Sequence, residues 1–121
     1  MELTQEVVDR VVVRLFPADQ VSRVHDILAR YGRPDIDREL IRVRLAALKV
    51  SGGSLPDLEK AVAAAMVDYR DVLSWAEYPV ELVNPTWEMP AADVTRIRTS
   101  DRSQYQEWLA RYGAPSGDPP P

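Results

Sequence analysis

The segment at residues 54–79, SLPDLEKAVAAAMVDYRDVLSWAEYP, decides the fold because it predicts one long amphipathic helix. Its apolar residues recur at alternating intervals of four and three, which places them on one helical face. They are Leu58, Val62, Ala65, Tyr69, Val72 and Ala76. Ser54 is a suitable N-cap, and Pro79 disfavours helical geometry at the residue before it. We therefore predict a helix over 55–77.

A second amphipathic segment lies directly before the first, over 35–50. Two adjacent apolar faces run along it and leave only a narrow polar strip, so we expect it to be the most buried helix. The first face holds Ile36, Leu40, Val43, Ala47 and Val50, and the second holds Ile41, Leu45 and Leu48. The short connection Ser51-Gly52-Gly53-Ser54 makes the two helices antiparallel neighbours. The predicted core is therefore an antiparallel helical hairpin formed by 35–50 and 55–77.

The rest of the chain predicts further helices around this hairpin. Periodicity favours helices over 5–16 and 19–31, and a last helix over 101–112 that begins at a cap formed by Ser100 or Asp101. Between the hairpin and the last helix, Pro79, Pro85 and Pro90 predict an irregular segment over 79–100 that packs back on the domain. The predicted fold class is all-α: one domain over 1–112, a small bundle of about five helices, and a disordered tail over 113–121.

Composition limits the range of functions. The 121 residues include no cysteine, which excludes disulfides and thiol chemistry, and their net charge of −4 disfavours non-specific nucleic-acid binding. Thirteen arginines stand beside two lysines, a bias typical of a GC-rich bacterial genome. A signal peptide is not recognisable, and no apolar run approaches the about 20 residues of a membrane span. We expect a cytoplasmic protein.

The strongest concentration of candidate functional residues is at the end of the long predicted helix. It comprises Asp68, Tyr69, Arg70, Asp71, Trp75, Glu77 and Tyr78. Folding the hairpin at its glycines brings the aspartates opposite Arg38 and Arg33, so we predict an ion pair between one of these arginines and Asp68 or Asp71. Such a cluster is either a structural network that fixes the register of the helices or a surface for a partner.

Three classes of function remain open. A small enzyme would use Asp68 and Asp71 as a carboxylate pair, but no nucleophile, phosphate-binding loop or metal motif accompanies them. The second and third helices resemble a helix-turn-helix superficially, although the third is too apolar to present a reading face. A protein-interaction or oligomerisation module fits the aromatic residues best. The candidate anchors are Trp75, Tyr78, Trp87, Trp108 and Tyr112. We expect most of them to pack between the Pro-rich segment and the last helix, with one or two exposed. We predict no cofactor, metal, nucleic acid or membrane partner, and no small molecule can be identified.

Two stretches carry a resemblance to known proteins. RVRLAALKVSGG at 42–53 and DYRDVLSWAEYP at 68–79 resemble segments of small, uncharacterised bacterial proteins that are built on the same helical hairpin. The resemblance covers about a third of the chain, roughly 41–79. It implies an all-helical fold and supplies no activity, substrate or catalytic residue.

Overall fold

The computed structural model describes residues 1–115, and all regular structure within them is helical. The helices are α1 (Gln5–Leu15), α2 (Val21–Ala29), α3 (Leu40–Ser51), α4 (Leu55–Val67), α5 (Tyr69–Glu77), α6 (Pro79–Leu82) and α7 (Ala91–Gly113). Single 3-10 turns at Ala18–Gln20 and Thr86–Glu88 precede α2 and α7. The predicted all-α class is confirmed, with seven helices in place of about five. The predicted tail lies mostly outside the described residues, and Gly113 belongs to α7.

Helix α3 lies at the centre of the bundle. It packs against α4 and α5 and also contacts α1. It carries six buried residues, more than any other helix of the described chain: Val43, Leu45, Ala46, Ala47, Leu48 and Ser51. The α3–α4 hairpin and the strong burial of its first helix are therefore as predicted, because two adjacent apolar faces can be covered only from several sides at once.

The start of the hairpin differs from the prediction. Residues 35–39 form a loop, and α3 begins at Leu40. The carboxylate of Asp37 accepts hydrogen bonds from the amides of Gly32 and Arg33 at 2.9 and 2.8 Å, which ties the loop back on itself. Ile36 is 64% exposed, so its agreement with the apolar period of α3 was misleading. A side chain that hydrogen-bonds the local backbone competes with helix formation, and here it prevails.

The long helix predicted over 55–77 is two helices. The chain breaks at Asp68, which has extended backbone angles (φ −152°, ψ 103°) and is both the C-cap of α4 and the N-cap of α5. Its side chain accepts a hydrogen bond from the amide of Arg70. Asp is among the preferred N-cap residues, so a new helix starts well at this position. The break lets α4 and α5 each pack against α3.

The irregular segment predicted over 79–100 is limited to residues 83–90, which contain a single 3-10 turn. Pro79 is the first residue of α6, and Pro90 is the N-cap of α7, which starts ten residues before the expected 101. Proline is well tolerated at the start of a helix, where its missing N–H would have no intrahelical acceptor. Two of the three prolines therefore mark where helices begin.

The 23-residue helix α7 spans about 35 Å at 1.5 Å per residue and packs against α1, α5 and α6. None of the helices in the described part of the chain is long and apolar enough to cross a bilayer.

Candidate functional site

Helix α7 supplies two polar side chains that fix the junction between α5 and α6. Asp101 is only 1% exposed, and its two carboxylate oxygens accept hydrogen bonds from the amides of Val80 and Glu81 at 3.0 and 2.9 Å. Gln104 Nε2 donates to the carbonyl of Ala76 at 3.1 Å. The amides at the start of α6 and the last carbonyls of α5 would otherwise lack partners. Asp101, predicted as the cap of its own helix, is instead the cap of α6.

The part of the chain on both sides of this junction presents apolar side chains to solvent. Thirteen large apolar side chains are exposed within residues 1–115, and six of them lie between positions 75 and 87. They are Trp75, Tyr78, Val80, Leu82, Val83 and Trp87, which we call the 75–87 surface. Val83 is 78% exposed and Trp87 82%. Trp108 and Tyr112, by contrast, pack against the core, with ring centroids 5.7 Å apart. Three of the aromatic residues singled out in the sequence are therefore available to a partner.

A cleft of about 500 Å³ lies between the end of α5, α6 and α7. Its walls include Tyr78, Glu81, Arg98, Arg102 and Tyr105. Arg98 Nε donates to Glu81 Oε1 at 2.7 Å, so α7 is joined to α6 by an ion pair within the cleft. We call this cavity the α6–α7 cleft.

Glu77 also lines the α6–α7 cleft, and its carboxylate is held by α3. Arg42 Nε and Nη2 donate to its two oxygens at 2.8 and 2.6 Å, a bidentate pair in which the Glu77 side chain is 13% exposed. Hydrogen bonding to Glu77 raises the pKa of Arg42, so the guanidinium stays charged. Sequence reasoning identified Glu77 but not its partner. The only signal was that Arg42 lies in the narrow polar strip of an otherwise apolar helix.

The hydroxyl of Tyr105 is the one buried side-chain polar atom without a hydrogen-bond partner in the described residues. The residue is 8% exposed, and burial raises the pKa of the phenol, which therefore keeps its proton. Leaving a buried hydroxyl without a hydrogen bond costs about 1–3 kcal/mol of folding free energy, and few buried polar groups in proteins are left in this state.

The remaining residues of the predicted cluster surround a second, more open cavity of about 430 Å³. Arg38, Asp68, Tyr69 and Arg70 all line it, together with Arg33. The structure thus brings Arg33 and Arg38 to the same cavity as Asp68, whereas Asp71 is not among its lining residues.

The ion pair predicted between these residues is nevertheless wrong. Arg33 pairs with Asp37 at 2.7 Å, and Asp68 pairs with Arg70 at 3.0 Å. Arg38 and Asp71 are exposed and form no ion pair within residues 1–115. Asp37 and Asp68 each pair with an arginine nearby in the chain, because the loop over 35–39 and the break at Asp68 have local geometries that a continuous helix does not have.

The Asp37 interaction predicts a measurable pH dependence of stability. The hydrogen-bonded guanidinium of Arg33, assisted by the backbone amides of Arg33 and Gly32, lowers the pKa of Asp37 from 3.8 to about 2. The folded-state pKa is below the unfolded one, so the contribution is complete above about pH 4 and is lost as the pH falls towards 2. With screening by solvent, we expect a loss on the order of 1 kcal/mol. Urea denaturation between pH 6 and pH 2 measures it.

Asp37→Asn should remove this part of the pH dependence, whereas Asp26→Asn, a change at an exposed position on α2, should leave the wild-type profile unchanged. Identical profiles for wild type and Asp37→Asn would contradict the assignment.

Two alternative functions depend on features that the structure arranges differently. Asp68, the first half of the proposed carboxylate pair, caps α5 and is bound by Arg70. No group of three potential metal ligands occurs within the described chain. The helix-turn-helix interpretation requires a connection of about three to four residues. Helices α2 and α3 are separated by the ten residues 30–39, and Arg42 of α3 binds Glu77.

Comparisons of the chain with known protein families, with curated proteins and with solved structures found no match. The function is therefore argued from the geometry alone.

Proposed function

We propose that this chain is a non-enzymatic protein-interaction module that binds its partner through the 75–87 surface. A second copy of the chain is the simplest partner, and the proposed location is the cytoplasm of a bacterial cell. No catalytic role is included in the proposal.

The observation that carries the proposal is the strong exposure of two apolar side chains four positions apart. Trp87 is 82% exposed and Val83 is 78% exposed. Isolated apolar residues are common on protein surfaces, but a concentration of them that includes tryptophan is typical of a binding surface. Tryptophan and tyrosine are enriched among the residues that contribute most to binding energy. Removing Trp87, Val83 and Leu82 from water would give a partner a favourable apolar contribution.

The rigidity of the surface further supports the proposal. From α7, Asp101 fixes the start of α6 and Gln104 fixes the end of α5, and the Arg98–Glu81 pair adds a third connection. A surface that is already ordered loses little conformational entropy on binding. The sequence predicted an irregular segment for the side chains from Val80 to Trp87. Ordering such a segment on binding costs more conformational entropy.

Sedimentation velocity over a concentration series tests the proposal. We expect the wild-type chain to shift from monomer to dimer with rising concentration. Trp87→Ala and Val83→Ser should each weaken association at least about tenfold, the loss expected when a contact worth about 1.4 kcal/mol is removed. Val13→Ser is the matched control, because Val13 is 63% exposed but lies on α1.

A wild-type chain that stays monomeric up to millimolar concentration would contradict self-association. Equal weakening by Val83→Ser and Val13→Ser would contradict the assignment of the surface.

A further inference from the structure

The α6–α7 cleft has an uncompensated positive charge. Of its two carboxylates, Glu77 is bound by Arg42 and Glu81 by Arg98. Arg102, on the same wall, is exposed and has neither an ion pair nor a side-chain hydrogen bond within residues 1–115. The acids that could neutralise it in the cleft are already paired. The charge that remains available in the cleft is therefore a guanidinium, which is suited to bind a carboxylate through two parallel hydrogen bonds.

Apart from its charged residues and Gln106, the cleft is lined by apolar and aromatic side chains. Tyr78, which is 41% exposed, and the half-buried Leu109 border it, and so does the ring of Tyr105. A volume of about 500 Å³ is within the range of sites that hold small molecules. Such sites are mostly apolar and contain a small number of polar groups that orient the ligand.

The Tyr105 hydroxyl is an independent observation that points to a ligand. Tyr105 lines this cleft, while its hydroxyl oxygen is closed to solvent and has no partner in the described protein, so a ligand reaches it only when neighbouring side chains shift. Because the phenol keeps its proton, it can donate a hydrogen bond to an acceptor that enters the cleft. A bound group that accepts this hydrogen bond would remove the cost of the unsatisfied hydroxyl.

We propose that the α6–α7 cleft binds a small carboxylic acid with an apolar body. The carboxylate pairs with Arg102 and also accepts a hydrogen bond from the Tyr105 hydroxyl, and the body lies against Tyr78 and Leu109. This site shares Tyr78 with the 75–87 surface, but Leu82, Val83 and Trp87 of that surface are not part of the cleft.

Titration of ¹⁵N-labelled protein with 3-phenylpropionate, monitored by amide chemical shifts, tests the proposal. We expect saturable shifts at 77–81 and 98–109, with a dissociation constant of about 1 mM, as is ordinary for a ligand of this size. The neutral amide 3-phenylpropionamide should bind at least about fivefold more weakly, because it cannot form the charged pair.

Variants separate the contributions of the cleft residues. Arg102→Gln and Tyr105→Phe should each weaken binding of the acid by about fivefold, the effect of losing one hydrogen-bonding group. Arg96→Gln, on the same helix but outside the cleft, should bind the acid as wild type does. Trp87→Ala should also bind the acid as wild type does, even if this substitution abolishes self-association. Equal affinity for acid and amide, unchanged affinity in Arg102→Gln or Tyr105→Phe, or no saturable shift in the cleft would each overturn the proposal.

Discussion

Replacing Asp101 with alanine is expected to lower the free energy of unfolding by about 3 kcal/mol. The carboxylate is 1% exposed and accepts the amide hydrogen bonds of both Val80 and Glu81. Removing it leaves two partly buried amide donors without their acceptor and takes away the anion that complements the start of α6. Urea denaturation monitored by circular dichroism measures the loss.

The variant Asp101→Asn refines this expectation. Its amide oxygen can accept one of the two hydrogen bonds, while its NH₂ group faces the other donor. We therefore expect a loss of unfolding free energy that is smaller than the loss for Asp101→Ala. Ser100→Ala is the control, because Ser100 is exposed on the same helix and alanine is the best helix former. A loss for Asp101→Ala no larger than that for Ser100→Ala would contradict the capping role.

The second large effect is expected in the turn of the central hairpin. A Cβ atom added at Gly53 would approach the carbonyl oxygen of Leu15 to 2.9 Å, and the residue has a φ of +91°. Gly52, next to it, has a φ of +60° with nothing within 4 Å of such an atom. Gly52→Ala should therefore cost about 1 kcal/mol, from the left-handed conformation alone. Gly53→Ala should cost about 3 kcal/mol, because backbone strain and a clash with main chain act together.

Thermal or urea unfolding of the two variants gives this comparison directly. The substitutions are chemically identical and adjacent, so each is the control for the other. Equal losses would show that α1 does not approach the turn as closely as the structure indicates.

Periodicity was sufficient to predict the central hairpin and the burial of α3. It failed at Asp68 and over 35–39 because the apolar spacing continues through both regions. What changes there is the local hydrogen bonding of Asp68 and Asp37, which each accept backbone amide hydrogens. The competition between an aspartate side chain and the helix depends on small free-energy differences that spacing does not report.

The candidate site was only partly predictable, for a related reason. Residue type alone gave five candidate aromatic anchors, of which one or two were expected to be exposed. Three of them are: Trp75, Tyr78 and Trp87. The groups that hold them in place come from distant parts of the chain: Asp101 lies 21 residues from Val80, and Arg42 lies 35 from Glu77. Such pairings leave no local pattern in a single sequence. The prolines were misinterpreted because the same residue that ends one helix can begin the next.

The central claim is that α7 orders the start of α6, which belongs to the 75–87 surface. The apolar side chains of that surface are then held by a rigid backbone. Amide hydrogen exchange of the wild-type chain, resolved by residue, tests it most directly. The account predicts that the Val80 and Glu81 amides, which donate to Asp101, exchange far more slowly than unstructured amides and lose this protection in Asp101→Ala. Exchange of both amides at unstructured rates in the wild-type protein would contradict it.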